Sequence, residues 1–257
     1  MTDSAPLQLP DVATITAAAP FRWLRGGWSD FKTAPIPCLI YGILLAALSA
    51  ALTYLLYYGD AFNWILVLAG GFLIVAPMLA MGLYEAGRQL EIGQKPSFKD
   101  MALVKGAFRR DLAYLGLALF LIYLMWTRVA QVLYALSTNR LHKTPQAFLE
   151  FMFTDPSGQM MALIGTIVGG VIVFLAYTLV VISVPMMLDR RTDVFIATVT
   201  SVRAVVKNTL PMLIWALLIA ALTAIGIATA FLGLIIVFPV IGLASWRAYR
   251  ELVPTSP

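Results

Sequence analysis

Residues 210–246, LPMLIWALLIAALTAIGIATAFLGLIIVFPVIGLASW, carry no charged side chain. A helix that crosses a bilayer needs about 20 mostly apolar residues. This run is too long for one crossing and adequate for two short ones. Gly226 and Gly233 mark a hairpin, which places one span near 210–229 and another near 232–249. A single kinked helix with a re-entrant piece is the other arrangement the run permits.

Working outward, four more apolar runs appear: Ile36 to Tyr58, Asn63 to Tyr84, Leu112 to Leu136 and Met160 to Leu188. The last is long enough to tilt. The whole chain has 257 residues, of which 61% are hydrophobic and 12% charged, and its mean hydropathy is +0.87. A soluble domain is about half apolar and a quarter charged. It cannot hide so much apolar surface, because the buried fraction of the surface rises only slowly with chain length. A soluble globule and a disordered chain are both excluded. The expected fold is all-α: a polytopic membrane protein with six transmembrane helices over residues 21–253. Residues 1–20 read as a disordered cytoplasmic tail, because Pro6, Pro10 and Pro20 oppose a long helix, and 254–257 as a short C-terminal tail. The first twenty residues lack the basic start and apolar core of a secretory signal, and no lipidation box is present.

Lys and Arg counts set the expected orientation. Arg22, Arg25, Lys32, Arg88, Lys95, Lys99, Lys105, Arg109, Arg110, Arg190, Arg191, Arg203, Lys207, Arg247 and Arg250 fall on one side, fifteen in all. Only Arg128, Arg140 and Lys143 fall on the other. Both termini are therefore expected in the cytoplasm. The pI of 9.4 is a membrane-orientation signal, and no nucleic-acid partner is expected because the basic residues flank spans.

The chain has one cysteine, Cys38, and one histidine, His142. A disulfide framework needs pairs, and zinc needs several Cys or His ligands at short spacing. No cofactor and no metal are expected. No GxSxG, HExxH, phosphate loop or GxGxxG occurs, so the chain does not read as an enzyme. His142 sits in the outer connection, where Thr144-Pro145 is a good helix start. Phe148, Leu149, Phe151, Met152 and Phe153 suggest a helix over about 145–153 lying on the outer leaflet.

A threefold repeat is visible. FRWLRGGWSDFKTAP (21–35), SFKDMALVKGAFRRD (97–111) and FIATVTSVRAVVKNTLP (195–211) each precede an odd-numbered span and mix apolar with basic residues, as a helix in the headgroup layer does. In the third, Val199, Val202, Val205 and Val206 recur at helical steps. The even-numbered spans carry Pro77, Pro185 and Pro239, each followed by a charged exit. Proline removes one helix hydrogen bond and kinks the helix. Small residues at four-residue spacing, Gly165 with Gly169, Gly42 with Ala46, Gly82 with Ala86 and Gly226 with Ala230, read as packing within the bundle.

If the three units share an axis, Glu85, Arg88, Asp189, Arg190, Arg247 and Arg250 ring a cytoplasm-facing vestibule. Its spare positive charge would favour anionic lipid headgroups or an acidic segment of a membrane-protein partner. The alternative is that these residues only anchor helix ends, with Glu85 and Arg88 as a structural ion pair. Two roles follow. One is a non-catalytic scaffold or accessory protein. The other is a carrier for a small or lipid-like solute, since repeats and broken helices are carrier features. No span carries a buried charge near mid-bilayer.

GFLIVAPMLAMGLYEAGRQLEIGQKPS (71–97), SVPMMLDRRTDVFIATVTSVRAVVKNTLPMLIW (183–215) and GLIIVFPVIGLASWRAYRELV (233–253) together resemble the bacterial integral-membrane family called domain of unknown function 2189, over about residues 21–253. The resemblance implies a bacterial inner-membrane location and supplies no activity and no catalytic residues. It also implies histidines near positions 243 and 247, where this chain has Leu243 and Arg247.

Overall fold

The computed structural model describes residues 9–59, 63–104, 107, 109–140, 142, 144–190 and 192–254. Lys105, Lys143 and Arg191 of the charge count, and the turn at 60–62, lie outside the described residues. The described chain is built of α-helices. In order they are α1 (Ala19–Thr33), α2 (Pro35–Tyr58), α3 (Asn63–Leu79), α4 (Met81–Glu91), α5 (Phe98–Ala102), α6 (Arg110–Ser137), α7 (Pro145–Thr154), α8 (Pro156–Val180), α9 (Ser183–Asp189), α10 (Val194–Lys207), α11 (Thr209–Ala228) and α12 (Leu234–Leu252).

Five stretches are long and apolar enough to cross a membrane: Pro35–Tyr58, Val67–Glu91, Arg110–Ser137, Pro156–Asp189 and Thr209–Ala228. The sequence reading expects a sixth, and α12 is the helix in question. Arg247, Arg250 and Glu251 occupy its last turns, which leaves only Leu234 to Trp246 uncharged. An apolar stretch that short is more often a buried core helix or a re-entrant segment than a full crossing. Burial agrees with the first of these. Every residue from Phe238 to Tyr249 except Arg247 is buried, so α12 is the central post of the molecule. It packs on α1, α2, α4 and α11.

The prolines act differently in the three units. Pro77 lies inside α3, and the helix breaks just after it at Ala80. The Leu83 N–H turns to the Ala80 carbonyl, and the Tyr41 hydroxyl of α2 donates to the Leu79 carbonyl at 2.7 Å. Pro185 sits in α9, just beyond a break at Val181-Ile182. There the Ser201 side chain of α10 enters the helix ladder. Its oxygen accepts from the Ile182 N–H at 3.2 Å, and its hydroxyl donates to the Thr178 carbonyl at 2.8 Å. Freed backbone groups inside a membrane must find such partners. Pro239 leaves α12 unbroken and offers no N–H to the Ile235 carbonyl. Gly42 of α2 packs against that carbonyl so closely that a Cβ there would lie 2.1 Å from its oxygen.

Glycines also admit Trp126 of α6. Its ring lies against Gly70 of α3 and Gly169 of α8, and its indole N–H donates to the Val67 carbonyl at 3.1 Å. Gly165 faces Leu133 of the same helix α6, so the Gly165/Gly169 pair packs within the chain.

Two expectations are corrected and one, the hairpin, is located more closely. The segment read as a disordered tail over 1–20 is ordered in its described part. Residues 9–16 form a strap without regular secondary structure, with Val12 buried, a turn follows at 17–18, and α1 begins at Ala19. Pro20 falls in the first turn, where its missing N–H has no intrahelical acceptor to lose. The strap is gripped by α10. Asn208 accepts from the Ile15 N–H at 2.9 Å and donates to the Ala13 carbonyl at 3.0 Å, while Lys207 donates to the Val12 carbonyl at 2.6 Å. The α11–α12 hairpin turns over residues 229–233, within the stretch that Gly226 and Gly233 mark. Ala230 and Phe231 take the left-handed conformation, with φ of 53° and 68°, and Gly226 gives room for Leu234. Finally, the four valines of α10 divide: Val205 is buried in the core, whereas Val206 is exposed.

The largest fully buried side chains, among them Trp23, Trp215, Tyr249, Leu83, Met101, Ile182, Met186 and Met187, gather where α1, α4, α9, α10 and the C-terminal half of α12 meet. At the opposite end α2 presents Leu48, Leu52, Tyr54, Leu55, Tyr57 and Tyr58 outward.

Candidate functional site at the charged end

In α4 the i, i+3 spacing of Glu85 and Arg88 brings them onto one face. The Arg88 guanidinium donates twice to Glu85, at 2.8 and 2.6 Å, and the nearly buried Gln89 amide adds a third bond at 2.9 Å. At the end of α9, Asp189 accepts from the Tyr249 hydroxyl at 2.6 Å and from Arg250 at 3.3 Å. Arg190 donates to the same Tyr249 oxygen at 2.9 Å and reaches the Val253 carbonyl at 2.7 Å. It thereby closes the C-terminus of α12, where cationic donors suit the unpaired carbonyls.

Two Trp–Glu–Arg sets complete the network. Glu91 accepts from the Trp246 indole at 2.9 Å and from Arg250 at 2.9 Å. Glu251 accepts from the Trp23 indole at 2.7 Å and from Arg22 at 2.7 Å. Arg247 makes a bidentate pair with Asp30 of α1, both bonds at 2.6 Å. Such fork-on-carboxylate pairs fix geometry as well as charge.

The six residues named from sequence therefore do not form one ring. Asp189, Arg190 and Arg250 are joined directly, and Glu85–Arg88 is a separate pair. Two hollows result. One of about 770 Å³ is bordered by Glu85, Arg88, Lys95, Asp100 and Asp189. The other, of about 500 Å³, is bordered by Arg22, Asp30, Glu91, Arg247, Arg250 and Glu251. The second holds three arginines and three carboxylates, all paired, so the spare positive charge expected there is balanced. Sequence reading missed Asp30, Glu91, Glu251 and the two tryptophans. Their partners lie 155 to 229 residues away, beyond the reach of any local period.

Where the kinked helices meet, a cavity of about 60 Å³ is bordered by Pro77, Ala80, Val181, Phe238 and Ser245. Pro185 and Pro239 are placed beside it in the chain but not on its wall. A larger apolar groove of about 360 Å³ opens between α2, α3, α6 and the α11–α12 turn, with Ser49, Phe72, Tyr123 and Phe231 on its sides. At the opposite end of the bundle His142 stacks on Phe151, with ring centres 4.5 Å apart, and its Nδ1 lies 2.9 Å from the Tyr134 hydroxyl. Phe151 is accordingly buried, whereas Leu149 and Phe153 of α7 are exposed. Among the described residues no group of three or more His, Cys, Asp or Glu side chains is placed to hold a metal ion.

Long apolar helices, kinks resolved by neighbouring side chains and one charged end define a polytopic helical membrane protein. A model of the family described as a predicted integral membrane protein, domain of unknown function 2189, matches residues 65–189. That segment runs from α3 through α9 and includes Glu85, Arg88 and Asp189, Pro77 and Pro185. No curated protein and no solved structure matches the chain.

Proposed function

We propose that this protein is a non-catalytic scaffold or accessory protein of a bacterial inner membrane, with both termini in the cytoplasm. The observation that supports the role is the interlocked charge network. Asp189–Arg250–Glu91 ties α9, α12 and α4, and Asp30–Arg247 ties α1 to α12. A platform whose ion pairs join α1, α4, α9 and α12 is suited to holding shape for a partner, and less suited to moving protons or attacking a substrate. The orientation rests on the fifteen-to-three division of basic residues. The test is native purification followed by mass spectrometry, with reporter fusions at Asp60 and Gln146. A membrane-protein partner at fixed stoichiometry and periplasmic signals at both positions are the expected results. A cytoplasmic signal at either position overturns the orientation.

A second reading, a carrier for a small or lipid-like solute, is favoured by the apolar groove and by the two broken spans. A solute retained through purification, with no stoichiometric protein partner, would select it.

A further inference from the structure

The outward face of α1 alternates aromatic and basic residues. Phe21, Arg25, Trp28 and Lys32 stand at i, i+4, i+7 and i+11, which is one stripe of a helix. All four are exposed, Phe21 at 55% and Trp28 at 44%. The opposite face, Trp23, Gly27 and Phe31, is buried, with Gly27 against Val240 and Ala244 of α12. Arg22 and Asp30, on either side, are held by Glu251 and Arg247. Neither Arg25 nor Lys32 meets an acceptor among the described residues. Beyond the break at Ala34 the exposed residues change character to Ile36, Ile40 and Ile43 of α2, a lipid-facing set. The change from basic-aromatic to aliphatic marks where the headgroup layer gives way to hydrocarbon. Amphipathic rings settle at that level, and cations there meet anionic headgroups.

We propose that the Phe21–Arg25–Trp28–Lys32 stripe of α1 binds the headgroups of anionic phospholipids. The aromatic rings lie among the glycerol and upper acyl groups, and the two cations each contact a lipid phosphate. The charge complementarity is local. The arginines of the neighbouring ion-pair network already have carboxylate partners, whereas these two cations have none among the described residues. This surface is separate from the hollows of the charged end, and its failure would leave the scaffold reading untouched.

The test uses the full chain in a mild detergent, titrated with phosphatidylglycerol or phosphatidylcholine and read by native mass spectrometry. Wild type retains phosphatidylglycerol in preference to phosphatidylcholine, and high salt releases it. Arg25→Gln with Lys32→Gln weakens retention roughly thirtyfold, from about a fivefold loss at each basic residue. Lys99→Gln with Arg110→Gln removes the same charge elsewhere, at two exposed residues, and leaves retention in place. Melting curves of both variants verify folding, and the salt release from wild type needs no substitution. Equal retention in the stripe variant overturns the proposal, as does equal loss in the control. Loss of a co-purifying acidic protein with lipid retention unchanged also overturns it and gives the stripe to that protein.

Discussion

At the scale of single residues, Ser201 and Gly42 hold the two devices that keep kinked helices intact. Ser201 is fully buried and bridges Thr178 and Ile182 across the break before α9. Ser201→Ala leaves a buried N–H and a buried carbonyl unpaired. The expected loss is about 1–3 kcal/mol in chemical unfolding of the purified protein. A change near zero would show that the hydroxyl is incidental. Gly42→Ala puts a methyl group 2.1 Å from the Ile235 oxygen, a backbone atom that cannot rotate away. The expected cost is about 1–3 kcal/mol, or a visible shift of α2 from α12. The prolines were legible in the sequence because a missing N–H is a covalent property of the residue. The groups packed at each break or proline were not, because Ser201, Tyr41 and Gly42 arrive from other helices. Val205 illustrates the same limit. Its periodicity with Val202 and Val206 is real, yet only the docking of α10 decides which valine faces protein.

At the scale of elements, the apolar runs foretold α2, α6 and α11 within two residues at each end. Their lengths are set by bilayer thickness, which a sequence window measures directly. The strap over 9–16 was not legible, because its order comes from backbone bonds to Asn208, Lys207 and Leu252, and carries no period of its own. Asn208→Ala should therefore raise amide hydrogen exchange at Ile15 and through residues 10–16, while α11 stays protected. Unchanged exchange would mean that burial of Val12 alone retains the strap. Helix α7 was foreseen from its cap and aromatics, but not the packing of Phe151 on His142. Spin labels at Leu149 and Phe153 should report lipid contact, and a label at Phe151 should be shielded by His142. Equal lipid contact at all three positions would remove that packing.

For the whole molecule, the ion pairs give a direct check on how the N- and C-terminal elements meet. Arg247→Asp should destabilise by about 1–3 kcal/mol, and adding Asp30→Arg should recover at least half of that loss. No recovery would mean that the two side chains do not depend on each other. The charged end was visible in the sequence as a cluster of helix exits. Its division into two hollows was not, because Asp30, Glu91 and Glu251 sit on helices whose order in space the sequence does not reveal. The uneven core has a mechanical consequence. Tryptophans, methionines and ion pairs bind the helices at one end, while at the other α2 stands away from α3 around the open groove. Helices fastened in one leaflet and loose in the other have a compliant side. A bilayer that thins or swells must be accommodated there, by splaying of α2 and the α11–α12 tip, because the fastened end cannot follow. In such a chain the leaflet around the open groove takes up most of the adjustment, and the leaflet around the charged end stays close to a fixed reference.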